Sequence, residues 1–256
     1  MKMTIKNRKG LAIVAEVELT VQARGLAFIL HGLGGHKEQP HILAIADIFK
    51  ENNYSVVRFD ATNALGESGG DYADASVTSY YDDLCDVIEW SASQPWHKEP
   101  FVLAGHSLGG IATALFADRF PQRVKAIAPL STVVSWDLSK ETGFYKENLN
   151  SWKEQGYIPR KHSTAGDKEL RLSYAHVEDL MQYDLLREAR NLTMPVLMVV
   201  GSEDVATPVN HQRIFFDALP GEKEIHIIQG SPHTFHNVAH LDELKSILAV
   251  WLKKIA

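Results

Sequence analysis

A serine stands between two glycines in Gly105-His106-Ser107-Leu108-Gly109, with Gly110 next. It follows the apolar run Phe101 to Ala104 and precedes an amphipathic stretch, Ile111 to Phe120. A strand that turns sharply into a helix lifts such a hydroxyl clear of the sheet, and small residues two before and two after it avoid collision in the turn. The helix N-terminus behind the serine adds positive dipole and free N–H groups where charge would develop on a substrate oxygen. A serine hydroxyl is a poor nucleophile without a base, so this chemistry requires a histidine and an acid elsewhere in the chain.

Both are present, later and in the expected order. Gly201-Ser202-Glu203-Asp204 follows the apolar run Pro195 to Val200, which puts an acid at a strand's carboxyl end, where sites of open α/β sheets lie. Asp204 is the preferred acid and Glu203 its competitor; either could instead cap a helix beginning near Pro208. Two histidines follow the run ending at Ile228, within Gly230-Ser231-Pro232-His233-Thr234-Phe235-His236-Asn237. His233 sits nearer the strand end, and the turn before it would aim its ring across the sheet, so it is preferred over His236 as base. His106 adjoins the serine, but the turn would point it away from the hydroxyl, which suggests a structural role. Two backbone donors are also needed for a developing oxyanion. Leu108, directly after the serine, supplies one; Leu33, in the glycine cluster His31-Gly32-Leu33-Gly34-Gly35 after the run Leu26 to Leu30, supplies the other.

These residues need a scaffold, and the pattern provides one. Apolar runs bounded by turn residues recur at Ile13 to Leu19, Leu26 to Leu30, Val56 to Phe59, Phe101 to Ala104, Val124 to Leu130, Val196 to Val200 and Ile225 to Ile228. Several lack in/out alternation, as expected of parallel strands covered on both faces, whereas residues 3 to 19 alternate around Gly10 like an antiparallel hairpin at a sheet edge. Helical stripes lie between them, at Ile42-Ile45-Ile48-Phe49, Tyr80-Leu84-Val87-Ile88 and Leu241-Leu244-Leu248-Trp251. Ser79 with Asp82 fits a capping box at the start of the second stripe. The alternation predicts an α/β sheet with right-handed crossovers. From about Thr132 to Arg190 no strand is convincing and aromatics are scattered among charges. A structureless loop of that size is improbable, so 132–190 is expected to be a helical lid inserted into a core formed by 1–131 and 191–256.

Composition narrows the classes. The 26 basic and 32 acidic residues give a net charge of −6 without a basic block, which disfavours nucleic acid or an anionic membrane as partner. A single cysteine, Cys85, excludes an internal disulfide framework and a Cys-rich zinc site, and suits a reducing, cytoplasmic setting. Residues 1 to 19 read as neither a signal sequence nor a spanning helix.

Taken in order, HGLGG at 31–35, GHSLGG at 105–110, GSEDVATP at 201–208 and GSPHTF at 230–235 resemble the α/β-hydrolase superfamily. Within it, His31 to Glu38 resembles the HGxxGHKE stretch of the bacterial feruloyl and cinnamoyl esterase group. The resemblance implies a mostly parallel central sheet of about eight strands with helices on both faces and a lid. It further implies Ser107 as nucleophile, Asp204 as acid, His233 as base, and Leu33 and Leu108 as oxyanion donors. A small-molecule ester would be the substrate and no cofactor or metal would be needed. The group's Asp-x-x-Gly-x-Gly-x-Ser after the fourth strand is replaced by Asp60-Ala61-Thr62-Asn63-Ala64-Leu65-Gly66-Glu67-Ser68. Thioesterase or serine peptidase activity would use the same residues. A metal-dependent enzyme built on His233, His236 and His240 lacks HExxH and a carboxylate cluster, and a non-catalytic receptor would have no use for the whole constellation.

Overall fold

The computed structural model describes residues 1–160 and 169–255; 161–168, within the predicted insertion, lie outside the described residues. Strands β1 (Lys2–Lys6), β2 (Ala12–Glu18), β3 (Gly25–Leu30), β4 (Tyr54–Phe59), β5 (Phe101–His106) and β6 (Val124–Leu130) precede the insertion. The insertion carries β7 (Tyr157–Arg160) and β8 (Leu170–Ser173), and β9 (Val196–Gly201) and β10 (Lys223–Ile228) follow it. Eight of these strands form one sheet in the order β1-β2-β4-β3-β5-β6-β9-β10. The β1–β2 and β2–β4 pairs are antiparallel and the other pairs are parallel. The expected edge hairpin and parallel centre are both present, in an α/β-hydrolase fold.

Alternate residues of the central strands face two different cores, and both sets are apolar. Phe28 and Leu30 of β3 join one cluster while Ala27 and Ile29 join the other; Leu103 of β5 is likewise divided from Val102 and Ala104. This is why those runs show no alternation in sequence. Helix α1 (Pro40–Glu51) covers one face with α9 (Val238–Lys254), through Ile45, Phe49, Leu248 and Trp251. Helices α2 (Val77–Ala92) and α3 (Leu108–Arg119) cover the other, beside α8 (Val209–Ala218).

Two helix details differ from the sequence reading. The capping box of α2 is Ser76 with Ser79, not Ser79 with Asp82: Ser76 Oγ accepts from Ser79 N, and Ser79 Oγ accepts from Ser76 N. The short hydroxyls close that box three residues earlier, so the helix begins at Val77. Helix α3 is not amphipathic, because most of its residues from Leu108 to Ala117 are buried. A helix lodged among the sheet, α2 and the insertion has little water-facing side to keep polar.

The insertion contains α4 (Trp136–Ser139), α5 (Gly143–Gln155), α6 (Ala175–Leu180) and α7 (Leu185–Glu188), and also the antiparallel β7–β8 ribbon. The ribbon escaped the sequence reading because its four-residue strands are too short for a period, and Pro159 and Arg171 interrupt them. Trp152 anchors this layer, buried with Ile158, Leu172 and Val177, its Nε1–H donating to Leu172 O at 2.9 Å. Among the described residues, no helix is long and apolar enough to cross a membrane.

His31 and His41 are among the imidazoles buried in the core. Burial lowers the pKa of His31 to about 4 and that of His41 to about 3. Ala61 N–H donates to His31 Nε2 at 3.0 Å, so protonating that nitrogen would break the bond. Because the folded-state values are depressed, the unfolded chain takes up protons first: this part of the stability is complete above about pH 6.5 and is lost as pH falls toward about 4. The unfolding free energy is expected to drop by up to about 1.4 kcal/mol per pH unit for each group across that window. Urea unfolding of His41→Phe should show a slope shallower by about one proton; identical slopes would show that His41 is not held neutral in the fold.

Candidate active site

Ser107 occupies the turn between β5 and α3 with φ 55° and ψ −113°, a conformation that L-residues rarely adopt. The surroundings enforce it. Ser107 N donates to Leu130 O at 2.9 Å, while Ser107 O accepts from Gly110 N, Ile111 N and Val133 N. A Cβ on Gly105 would sit 2.3 Å from Gly109 O, and one on Gly109 would sit 2.4 Å from Leu30 O. Any side chain at either position would therefore force strand and helix apart and open the turn.

Asp204 is buried at the carboxyl end of β9, and Glu203 is exposed. Asp204 Oδ1 accepts from Ala206 N at 2.9 Å and Thr207 N at 2.8 Å, and its Oδ2 lies 2.8 Å from His233 Nδ1. Burial pushes this carboxyl up, but the hydrogen bonds from His233 and Thr207 outweigh it and hold the pKa below the ordinary value. An ionised carboxylate only accepts, so Nδ1 of His233 carries the hydrogen and the lone pair of the neutral ring is on Nε2. Asp204 thus closes a turn and also holds a histidine, whereas α8, which begins at Val209, has no side-chain cap. Sequence reasoning missed Thr207, whose Oγ1 lies 2.9 Å from both Asp204 Oδ2 and Ser131 O and shares one proton between them. A hydroxyl three residues after an aspartate was the available signal.

His236 is exposed, 3.5 Å from Thr234 Oγ1, and His240 lies in the first turn of α9 beside Asn237, so the three spaced histidines do not converge. His106 is bonded to the His233 loop and not to Ser107. Its Nε2–H donates to the backbone carbonyl of His233 at 2.8 Å, and the two rings lie 4.6 Å apart. Burial drives its pKa well below the ordinary value, so it stays neutral.

The Leu33 turn is anchored by a buried ion pair. Lys37 Nζ lies 2.8 Å from Asp60 Oδ2 and 2.5 Å from Glu67 Oε2, and Lys37 N donates to Asp60 Oδ1 at 2.6 Å. Glu67 N and Ser68 Oγ also bond to Asp60, through Oδ2 and the backbone carbonyl. Burial would lower the Lys37 pKa, yet its bonds to Asp60 and Glu67 raise it. The departure at 60–68 therefore keeps an aspartate, a glutamate and a serine where the turn needs them. Among the described residues, neither Leu33 N–H nor Leu108 N–H has a protein acceptor.

Leu33, Leu108, Ser107 and His233 line one cavity of about 230 Å³, closed on the insertion side by Phe144 and Tyr145. No hydrogen bond joins Ser107 Oγ to the imidazole; His233 bonds through Nδ1 to Asp204 and Thr207 and through its carbonyl to His106. A hydroxyl, an oriented imidazole and two free amide donors around one cavity are the parts required for acyl transfer.

Residues 21–176 match the Hydrolase_4 family, described as serine aminopeptidase, S33. Over an alignment 287 positions long, gaps included, the chain is 22% identical to an Escherichia coli protein described as an uncharacterized 31.7 kDa protein in the traX-finO intergenic region, covering 99% of each. Among solved structures it is similar to Est1E from Butyrivibrio proteoclasticus with ferulic acid bound, at TM-score 0.84 and 21% identity over 98% of each chain. It is also similar to alpha/beta hydrolase domain-containing protein 10 from mouse, at TM-score 0.80 and 18% identity over 100% of each.

Removing one partner of a buried ion pair leaves the other uncompensated, so Lys37→Met is expected to destabilise the protein by about 3–5 kcal/mol in urea unfolding. Adding Asp60→Asn should recover part of that loss. A single variant as stable as the wild type would show that the turn does not depend on the pair.

Proposed function

The chain belongs to the Hydrolase_4 family of α/β hydrolases, and from its site we propose that it is a serine hydrolase that cleaves carboxylic esters through an acyl-enzyme. The observation that carries this reading is the 2.8 Å Asp204–His233 contact beside the cavity that holds Ser107. Ser107 Oγ attacks the ester carbonyl and forms the C–O bond while its proton passes to His233 Nε2. Asp204 keeps the ring in the required tautomer and stabilises the imidazolium. Negative charge gathers on the carbonyl oxygen, which the N–H groups of Leu33 and Leu108 receive. The tetrahedral adduct collapses, His233 returns its proton to the departing alkoxide, and the alcohol leaves. Water then gives a proton to His233 and attacks the acyl carbonyl; as this second adduct collapses its bond to Ser107 Oγ breaks, His233 returns the proton to that oxygen, and the acid leaves. No cofactor enters any step.

Neutral His106 suits this sequence of charges. A second imidazolium beside His233 would oppose proton uptake from Ser107, and burial keeps that charge away.

The family description raises aminopeptidase activity as a second reading. Binding a free α-ammonium calls for an anion near the reacting carbonyl, and among the described residues the cavity lining holds no carboxylate. Esters suit that lining better, and its aromatic wall of Phe144 and Tyr145 fits an apolar or aryl acyl group such as the ferulic acid named in the Est1E structure.

Ser107→Ala and His233→Ala are each expected to lower kcat on nitrophenyl esters by about 10⁴-fold or more, with Asp204→Asn near 10⁴-fold and the melting temperature little changed. His236→Ala and Glu203→Gln should stay within about twofold of wild type, since neither lines the cavity. A panel adding thioesters and aminoacyl nitroanilides ranks the rivals. Full activity in Ser107→Ala would overturn the nucleophile assignment, and ligand binding without turnover in the wild type would favour a receptor.

A further inference from the structure

The insertion places a positive charge on the cavity wall. Arg160, the last residue of β7, lines the same cavity as Ser107 and His233. The lining is otherwise uncharged among the described residues: it contains no Asp or Glu, and burial holds His176 below its ordinary pKa and therefore neutral. The nearby acid Glu169 is already taken by Arg171, at 3.7 Å.

Arg160 is also held in place. Its guanidinium stacks 4.2 Å above the Phe144 ring centroid. Phe144 in turn packs edge-on against Tyr145 at 5.1 Å and the buried Trp152 at 5.8 Å, so the platform is part of the insertion's own core. The guanidinium also meets the Tyr72 hydroxyl, which draws on one of its five N–H donors, and the others suit a carboxylate. A cation against an apolar wall carries a desolvation cost that the aromatic face offsets only in part, and an anionic ligand supplies the remainder.

We propose that Arg160 binds a carboxylate carried by the substrate, so that the preferred esters are half-esters of dicarboxylic acids or esters whose leaving alcohol bears an acid group. The proposal rests on the ester-hydrolase reading for its substrate class but not for its binding site. Arg160 holds the far end of the substrate while the ester carbonyl lies at Ser107, which makes it a specificity-determining residue outside the reacting centre.

Two matched pairs of esters test it: nitrophenyl butyrate against the nitrophenyl half-ester of glutaric acid, and phenyl butyrate against 3-carboxyphenyl butyrate. In Arg160→Gln, kcat/KM should fall about 10- to 100-fold on the carboxylate-bearing member of one pair, mainly through KM, and by less than about twofold on the neutral members. Arg160→Lys should restore part of the loss. The pair that responds identifies the acyl or the alcohol side. Equal losses on all four esters, or no loss on any, would overturn the proposal. Calorimetric titration of Ser107→Ala with monomethyl glutarate provides a readout independent of turnover: Arg160→Gln added to that background should weaken binding by the same factor. Should the Gln variant fail to fold, the binding of monomethyl glutarate and methyl butyrate to Ser107→Ala is compared directly, and equal affinities overturn the proposal. If no ester is hydrolysed but that binding is still lost with Arg160, the ester reading fails and the anion site stands.

Discussion

Ser107 is held at a positive φ by the chain around it, and the arrangement of the site follows from that turn. Such a conformation costs about 1–3 kcal/mol and persists only where the neighbours overdetermine it. Here they do: its N–H bonds to β6, its carbonyl takes bonds from α3 and from Val133, and glycines at 105 and 109 let strand, helix and the end of β3 close to van der Waals distance. The constraint spreads outward. Because α3 begins immediately after the serine, it is pressed into the middle of the molecule and buried over most of its surface. His106, directly before the serine, reaches the backbone of His233. One tight reversal thus orients the serine and, through its neighbour, supports the loop carrying the imidazole.

The charges near the site follow a common rule. Each ionised group buried there has a partner, as Asp204 has His233 and Lys37 has Asp60, while the imidazoles without an acid, His31, His41 and His106, are held neutral by burial. Replacing either paired group by an apolar residue would strand its partner's charge, whereas the neutral imidazoles behave as polar packing. The distinction separates His233, hydrogen-bonded to an ionised acid, from His31, His41 and His106, which are bonded to none.

Much of this could be read from the sequence because the signals are local. GHSLGG fixes a strand, a turn and a helix within a few residues, and the continuous apolar runs disclose strands buried on both faces. The acid and base could be ranked because each sits within a few residues of a strand end, and the exposure of Glu203 and His236 follows from their positions further along the turns. The features that escaped depend on contacts distant in sequence or on segments too short to show a period. Lys37 and Asp60 are 23 residues apart and nothing local couples them. The β7–β8 ribbon has four residues per strand, and the α2 cap was displaced by three residues because two serines competed for the position. Arg160 is one of many charges in the insertion, and only the fold shows which of them faces the serine.

That last point has a physical basis. Ser107, Asp204 and His233 are set at sheet ends and on turns tied to the sheet, where packing leaves little freedom. The cavity wall opposite them is built from a separate layer with its own core around Trp152, joined to the sheet through residues such as Leu33 and Trp136. Substitutions in that layer can change the size and charge of the cavity without disturbing the turn at Ser107, because its aromatic platform is supported mainly by its own members. Reaction type and substrate choice therefore rest on different sets of contacts. In the proposed reaction the chemistry falls to motifs with fixed spacing, and the choice of ester falls to a wall whose character emerges only from packing.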